Sequence, residues 1–393
     1  MSDLPLSARA RAITDSITLA ITARAQGMRA QGIDVVSLAA GEPDFPSPDE
    51  VCEAGIRAIR EGQTRYTAAS GMTDVRAAAA GWFRRQFDLP YETPNVMVTA
   101  GAKPALTLGL MTLCNEGDRV LLPAPFWASY TDIVQLAGGD PVVVPAVPEQ
   151  GFIHHGRQIA QAAHEVGARG IVLNWPNNPS GAVPTREQVE EVVAAVLDCG
   201  MWIISDEIYA RLIYDGLAHH SPAGCKGAFE RTLVVNGGTK SHSMTGWRIG
   251  FLAGPRGVIE AAGRIQSQAI GNTCTISQRA VLAVCNETDT SGLAKRLAAF
   301  DERRRYVCSA VNSIPGLRLA TPHGAFYALI DARAVCALRR IDDIALAEHL
   351  LSEAKVAVIP GTPFAIPGFI RISYAASMRE IEEGIRRIAA YVS

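Results

Sequence analysis

The run Thr232-Leu-Val-Val-Asn236-Gly-Gly-Thr-Lys240-Ser-His-Ser-Met-Thr-Gly-Trp-Arg248-Ile-Gly250-Phe-Leu-Ala253 decides the reading of this chain. Its two ends, Thr232 to Val235 and Gly250 to Ala253, are short apolar stretches that read as strands. Between them lies a loop of glycines and small hydroxyl residues with one lysine and, a short way on, one arginine. A strand that is apolar throughout, without alternation, is expected where helices cover both faces of a parallel sheet.

The same pattern continues on both sides. Asn95 to Thr99, Val120 to Pro123, Pro141 to Val147, Gly170 to Asn174 and Met201 to Ser205 read as further strands. Helices with recognisable starts alternate with them. Ser47-Pro-Asp-Glu50 and Thr185-Arg-Glu-Gln188 each have the form of a capping box, Gly200 is placed to stop the second helix, and Ser377-Met-Arg-Glu380 begins the final one. Alternating β and α units predict an α/β, doubly wound, mostly parallel sheet with ligands at the carboxyl ends of its strands. After about residue 290 the pattern changes. A long charged helix from Ser291 to about Ser313 is followed by short strands (Arg318 to Ala320, Ala325 to Ile330, Val356 to Ile359, Phe369 to Ser373) and two more helices. This describes a smaller α+β domain. The expected division is an N-terminal arm with part of the small domain (1–46), a large ligand-binding domain (47–290) and a small C-terminal domain (291–393).

The 393 residues suffice for one large and one smaller core. An apolar fraction of 48% with 19% charged residues describes a soluble globular protein. The formal net charge of -2 leaves no electrostatic footprint for nucleic acid or an anionic membrane. No apolar run spans a bilayer, and the charges of Met1 to Gly27 rule out a signal-peptide core, so an arm and an amphipathic helix in a cytoplasmic protein are expected. Cysteines 52, 114, 199, 225, 274, 285, 308 and 336 show no ligand spacing and read as reduced small hydrophobes. The pairs His154-His155 and His219-His220 read as loop histidines, with no metal site.

A lysine that is partly desolvated or near another cation can form a Schiff base with an aldehyde, and a neighbouring arginine offers a donor fork to a phosphate. Lys240 and Arg248 together suggest pyridoxal 5'-phosphate. Other segments suit the same ligand. Thr99-Ala-Gly101-Ala102-Lys103-Pro104 is a small-residue turn that lets a helix N-terminus approach an anion. Pro123-Ala-Pro-Phe-Trp127-Ala-Ser-Tyr130 sets an indole after a strand, where it can stack on a flat ring. Asn174-Trp-Pro-Asn177-Asn178-Pro-Ser-Gly is an amide-rich turn, and Ser205-Asp206-Glu207-Ile-Tyr209 ends a strand with a carboxylate and a phenol. A buried acid against a pyridine nitrogen keeps that nitrogen protonated. Gly368-Phe-Ile-Arg371-Ile-Ser-Tyr374 places an arginine inside an apolar strand, where it needs an anion. A structural reading stands beside each: Asn178 as a turn cap, Asp206 as a helix cap, Arg371 in an internal salt bridge.

In this order, from Ala40-Gly-Glu-Pro-Asp-Phe45 to Arg371-Ile-Ser-Tyr-Ala375, the motifs resemble the class I, aspartate aminotransferase-like family of pyridoxal-phosphate-dependent (fold type I) aminotransferases. N-x-P-N-N-P-S-G, S-D-E-I-Y and K-x-x-x-M-T-G-W-R-I-G carry the resemblance. It implies catalytic roles for Lys240, Asp206 and Tyr209, with Lys240 as the Schiff-base lysine. It implies cofactor contacts from Gly101, Ala102, Lys103, Trp127, Asn178, Thr239 and Arg248, and from Tyr66 across a homodimer interface that the arm from Met1 to Ser16 would also cross. It implies an amino-acid α-carboxylate held by Arg371 with Asn178, Trp127 and Gly41.

The expected activity is transfer of an amino group between an L-amino acid and a 2-oxo acid. The same scaffold also hosts lyases, eliminating enzymes and carbon–carbon bond-forming enzymes, which is the alternative. Several positions depart from the family pattern. Gly271-Asn272-Thr273 lacks a usual serine and proline, and Ser267 stands where some aspartate-specific relatives carry arginine. Thr239 replaces a serine. Trp175 and Pro104 are bulky or rigid where small or polar residues are usual, and Trp175 is expected near the substrate pocket.

Overall fold

The computed structural model describes residues 4–13 and 17–392. Its strands, in chain order, are β1 (Val36–Ser37), β2 (Val96–Thr99), β3 (Arg119–Pro123), β4 (Asp140–Val144), β5 (Gly170–Asn174), β6 (Trp202–Asp206), β7 (Thr232–Asn236), β8 (Gly250–Ala253), β9 (Arg318–Leu319), β10 (Tyr327–Asp331), β11 (Val356–Ala357), β12 (Ile359–Pro360) and β13 (Phe369–Ser373). Seven of them form the central sheet in the order β2-β8-β7-β6-β5-β3-β4, parallel except for β8, which runs antiparallel to both neighbours.

The absence of alternation in these strands follows from their covering. Val120, Leu122, Val172 and Ile204 face one layer, the helices Ala102–Leu113, Ser129–Leu136 and Arg256–Ala269. Leu121, Ile171, Leu173 and Ile203 face the other, the helices Gly156–Val166 and Arg186–Asp198. Both faces of β3 and β5 are covered, so the middle positions of these strands are apolar on both sides. Gly170 is required where β5 passes β6, because a Cβ there would stand 2.2 Å from the Trp202 ring. The chain lays β4 on one side of β3 and then β5 on the other, so β3 and β5 flank the point where strand order reverses. Crevices form at such points, beyond the carboxyl ends.

A second layer of structure lies against those ends. The antiparallel sheet β12-β13-β10-β9 and the parallel pair β1-β11 pack with the helices Ser291–Asn312 and Met378–Val392. Ile208, Tyr209, Leu212 and Tyr214, from the loop after β6, belong to this same core. The central sheet's carboxyl edge is therefore packed directly against the C-terminal structure.

Local expectations held where local chemistry decides. Thr185 caps the Arg186–Asp198 helix reciprocally with Gln188, and Ser377 and Glu380 do the same for the last helix. Ser47 does not cap. The helix Asp49–Arg60 starts after Pro48, and the Ser47 hydroxyl instead donates to the Ser243 carbonyl (2.8 Å) and accepts from the Trp247 indole (3.0 Å). The strand expected to Val147 ends at Val144, since Pro145 offers no N–H to the ladder. The strand expected from Ala325 begins at Tyr327, because Ala325 has φ 57°. The strand expected from Val356 to Ile359 is broken at Val358, where the chain leaves its pairing with β1 for pairing with β13. Three helices follow Asn312 where two were expected: Arg333–Arg339, Asp343–Ser352 and Met378–Val392. At the N-terminus the expected arm and helix correspond to Ala8–Ala12 and Ile17–Ala30, while residues 1–3 and 14–16 of the arm lie outside the described residues.

Candidate active site

A cleft of about 720 Å³ opens where the two layers meet, at the carboxyl ends of β3, β5, β6 and β7. It is lined by Gly41, Ala102, Lys103, Trp127, Asn178, Asp206, Tyr209, Thr239, Lys240, Arg248 and Arg371, brought together from across the chain.

Asp206 is the last residue of β6 and is buried. Its carboxylate accepts from the Tyr130 hydroxyl (2.7 Å) and the Ile208 amide (3.2 Å), while Asn174 donates to its carbonyl (2.9 Å). Burial pushes the Asp206 carboxyl up to about 6, against the pull of Tyr130 and Ile208. Tyr209, three positions further on, shares a 2.9 Å hydrogen bond with Tyr327 of β10, and burial pushes its phenol well above the usual range. Asn178 is held by its own amide, which donates to Asn174 Oδ1 at 2.8 Å.

Lys240 sits on the turn after β7, closed by hydrogen bonds from the His242 N–H to the Gly238 carbonyl and from the Met244 N–H to the Thr239 carbonyl (both 2.9 Å). Its Nζ donates to the Gly41 carbonyl at 2.6 Å. Burial lowers the Lys240 amine to about 8. The Glu42 and Asp206 carboxylates oppose that shift, and Arg248 and Arg371 add to it. A lysine in this range is neutral often enough near pH 8 to act as a nucleophile or a proton carrier. Thr239 is buried beside it, its hydroxyl donating to Ile249 O at 2.9 Å.

Arg248 adopts φ 51° and lies against Gly101, where a Cβ would come within 3.0 Å of Nη2. Gly101, at φ 105°, is the residue before the Ala102–Leu113 helix. An arginine fork, a helix N-terminus and a missing Cβ thus converge, a geometry suited to a phosphate. Beside them the Lys103 ammonium lies 4.7 Å from the Trp127 ring centre and donates to Ser129 at 3.1 Å, and its pKa is lowered by burial.

Arg371, in β13, is buried. It donates to Asn178 Oδ1 (3.1 Å) and the Ala39 carbonyl (3.0 Å), and its guanidinium lies 4.5 Å from the Tyr327 ring centre. Its Nε has no partner. The internal salt bridge is thus excluded among the described residues, and a buried donor is left for an anion.

Tyr66 lies outside this cleft and is 97% exposed in the single chain. Trp175 does not reach the cleft. It packs with Leu173 and Val192 beyond the sheet, since neighbours along a strand end point to opposite faces. Ser267 is exposed on the helix Arg256–Ala269, and Thr273 is buried, away from the cleft. Tyr130, Tyr327 and Glu42 line the cleft without having been singled out. Tyr130 had a signal, three positions after Trp127; Tyr327 had none. Among the described residues no group of three or more His, Cys, Asp or Glu side chains could hold a metal. No helix there is long and apolar enough to cross a membrane.

The chain matches the model of a known family, aminotransferase class I and II, over residues 33–388. It is 40% identical to the aspartate aminotransferase of Bacillus sp. (strain YM-2), over 98% of this chain and 99% of that one. It is 39% identical to the probable aspartate/prephenate aminotransferase of Aquifex aeolicus (strain VF5), over 98% and 97%. The solved aspartate aminotransferase from Thermus thermophilus with maleate superposes with TM-score 0.94 at 38% identity, over 98% and 99%. That of Rhizobium meliloti superposes with TM-score 0.95 at 36% identity, over 99% of each chain.

Proposed function

The chain belongs to the class I and II aminotransferase family, and from that premise we propose how its own residues carry out amino-group transfer with pyridoxal 5'-phosphate. When bound, the cofactor supplies an aldehyde carbon that carries the amino group and a protonated ring that draws electrons from the substrate α-carbon. The donor set fits this group: an anion pocket at Gly101, Ala102 and Arg248, a half-buried indole at Trp127, and a buried carboxylate at Asp206. Asp206 holds the ring nitrogen's proton, with Tyr130 donating to the same carboxylate. Tyr209 and Asn178 hold the ring hydroxyl. Lys240 would bond the cofactor's aldehyde and, when its amine is free, would hold and carry a proton at Nζ beside the substrate α-carbon. The observation that carries this reading is the Lys240 amine, lowered to about 8 within one cleft with Asp206, Arg248 and Arg371.

The substrate is proposed to be a dicarboxylic amino acid. Arg371 takes the α-carboxylate through its unpartnered Nε. Lys103 is a further cation in the cleft, apart from Lys240 and Arg248, and its ammonium, held over the Trp127 face, suits a side-chain carboxylate. Relatives named for aspartate, and a solved relative with the dicarboxylate maleate, support this choice. We assign cofactor binding to residues 47–290, an N-terminal arm and part of the smaller domain to 1–46, and the rest of the smaller domain to 291–393. We also propose a homodimer in which Tyr66 reaches the partner's phosphate, supported by its full exposure in one chain. Eight free thiols fit a reducing, cytoplasmic setting.

Incubating the cofactor-loaded protein with aspartate alone tests the reading. The visible absorption should move to that of the aminated cofactor, with one oxo acid released per site. Release of ammonia, or full turnover by a Lys240→Ala variant, would overturn it.

A further inference from the structure

A buried polar chain starts one residue after Lys240. Ser241 Oγ lies 2.8 Å from His242 Nδ1, and His242 Nε2 lies 3.2 Å from Glu287 Oε1. Glu287 Oε2 accepts from Arg211 Nη1 at 2.8 Å. Arg296, from the Ser291–Asn312 helix, donates from Nε to the Ser241 carbonyl at 3.2 Å. The His242, Glu287 and Arg211 side chains are 2%, 10% and 8% exposed, so water scarcely competes for these bonds. Burial would raise Glu287, but His242 and Arg211 outweigh it and hold the carboxyl at about 2.

The chain joins two segments that matter to the cleft. His242 stands two positions after Lys240, and Arg211 two positions after Tyr209. Glu287 follows the helix Thr275–Cys285 and bridges them. We propose that Ser241, His242, Glu287 and Arg211 form a positioning relay that fixes the Lys240 turn against the Tyr209 loop, with His242 neutral in the working form. This rests on Lys240 being the reacting lysine.

The hydrogen-bond roles give the relay its pH sense. The ionised Glu287 can only accept, so Nε2 carries the proton it shares with Glu287. Arg211 Nη1, at 3.4 Å from Nε2, donates to Glu287 instead, and Nδ1 accepts from Ser241. A proton on Nδ1 reverses that bond: Nδ1–H then donates to Ser241 Oγ, and the hydroxyl hydrogen has to find another acceptor. It also places a third cation beside Arg211 and Arg296, which face the Glu287 carboxylate; Glu50 bears on Arg296, and Asp289, itself beside Lys295, bears on Glu287. Acid therefore loosens the turn at its base, two residues from Nζ. Loosening lets Nζ leave the Gly41 carbonyl and regain solvent, so the Lys240 amine moves back up towards its ordinary range.

Acylation of Lys240 in the cofactor-free full chain, followed by mass spectrometry against pH, reads this directly and does not depend on turnover. The unaltered chain should show a midpoint at about 8. In His242→Gln and in the near-isosteric Glu287→Gln the midpoint should rise by about one unit or more. In the loaded enzymes kcat should fall roughly tenfold to a hundredfold, with KM changed less. Arg304→Met is the control: it cuts the pairs with Asp215 and Asp301 far from the cleft and should leave the Lys240 midpoint in place. An unmoved midpoint in the folded Glu287→Gln protein, or an equal shift in Arg304→Met, overturns the relay. The aspartate incubation above judges Lys240's own role separately, so either idea can fail alone.

Discussion

Replacing Arg371 by leucine separates what the guanidinium does for the fold from what it does for the substrate. A guanidinium has five N–H donors. Arg371 gives one to Asn178 and one to Ala39, its Nε has no partner, and burial pushes its pKa down. The free protein therefore carries a desolvated cation without a counter-anion. Removing it recovers part of a desolvation penalty of several kcal/mol and loses two hydrogen bonds of roughly 1 kcal/mol each. The two nearly offset, so Tm should stay within a few degrees. The substrate side is not balanced. Two charge-assisted bonds to a carboxylate, each about 1.5–3 kcal/mol, disappear while the carboxylate must still be desolvated. Allowing for groups that rehydrate, a net loss of about 3 kcal/mol corresponds to a fall of roughly 150-fold in kcat/KM. Arg371→Lys, which keeps the charge without the fork, should fall in between. Stopped-flow half-reactions with aspartate, cofactor titration and calorimetry together give the three readouts. An unchanged kcat/KM with a large drop in Tm would refute the reasoning, leaving Arg371 as a tie between Ala39 and Asn178.

Other expectations follow the same logic. Burial raises the folded Asp206 carboxyl from 3.8 to about 6, so the folded state binds the proton more tightly and stability falls as pH rises through that window. Asp206→Asn should therefore be more stable than the unaltered cofactor-free chain at pH 8, by up to about 3 kcal/mol and with a higher Tm, and equally stable near pH 3. Equal melting at pH 8 would contradict it. Gly101→Ala puts a Cβ at φ 105° within 3.0 Å of Arg248, so titrations should show weaker binding of pyridoxal phosphate but little change for unphosphorylated pyridoxal. Mixing inactive Lys240→Ala with a Tyr66 variant of low activity should restore part of the rate by subunit exchange, and activity in a monomer at assay dilution would exclude the shared site.

The residues that the sequence made legible sit where one short segment determines both geometry and chemistry. Asp206, Lys240 and Asn178 each end or follow a strand whose apolar run marks it as buried, so their place at the carboxyl edge follows from the run itself. Arg371 was legible because a lone arginine within an apolar strand needs an anion. What stayed hidden depends on distant partners. Ser47 has every local mark of a cap, yet its hydroxyl goes to Ser243 and Trp247, about two hundred positions away. Tyr327 enters the cleft only because β10 pairs with β13, which no window of sequence reports. Trp175 was misplaced for a reason the chain does carry: beside Asn174 on a strand end, it must point the other way.

The short stretch from Val36 to Gly41 has an unusual place in the order of assembly. It leaves the ribosome early, yet Val36 pairs in register with Val356, the Leu38 carbonyl receives the Ser373 amide, and the Ala39 carbonyl receives Arg371. Until the last tenth of the chain is made, this wall of the cleft has no partner strand and its carbonyls have only water. Contacts of such sequence separation slow folding and leave an unpaired edge open to wrong neighbours. The central sheet can close on its own in the meantime, because its strands run from Val96 to Ala253 without a break in pairing. Asp206, Lys240 and Arg248 are thus made well before Arg371 can meet Ala39, so one wall of the cleft is assembled before the other.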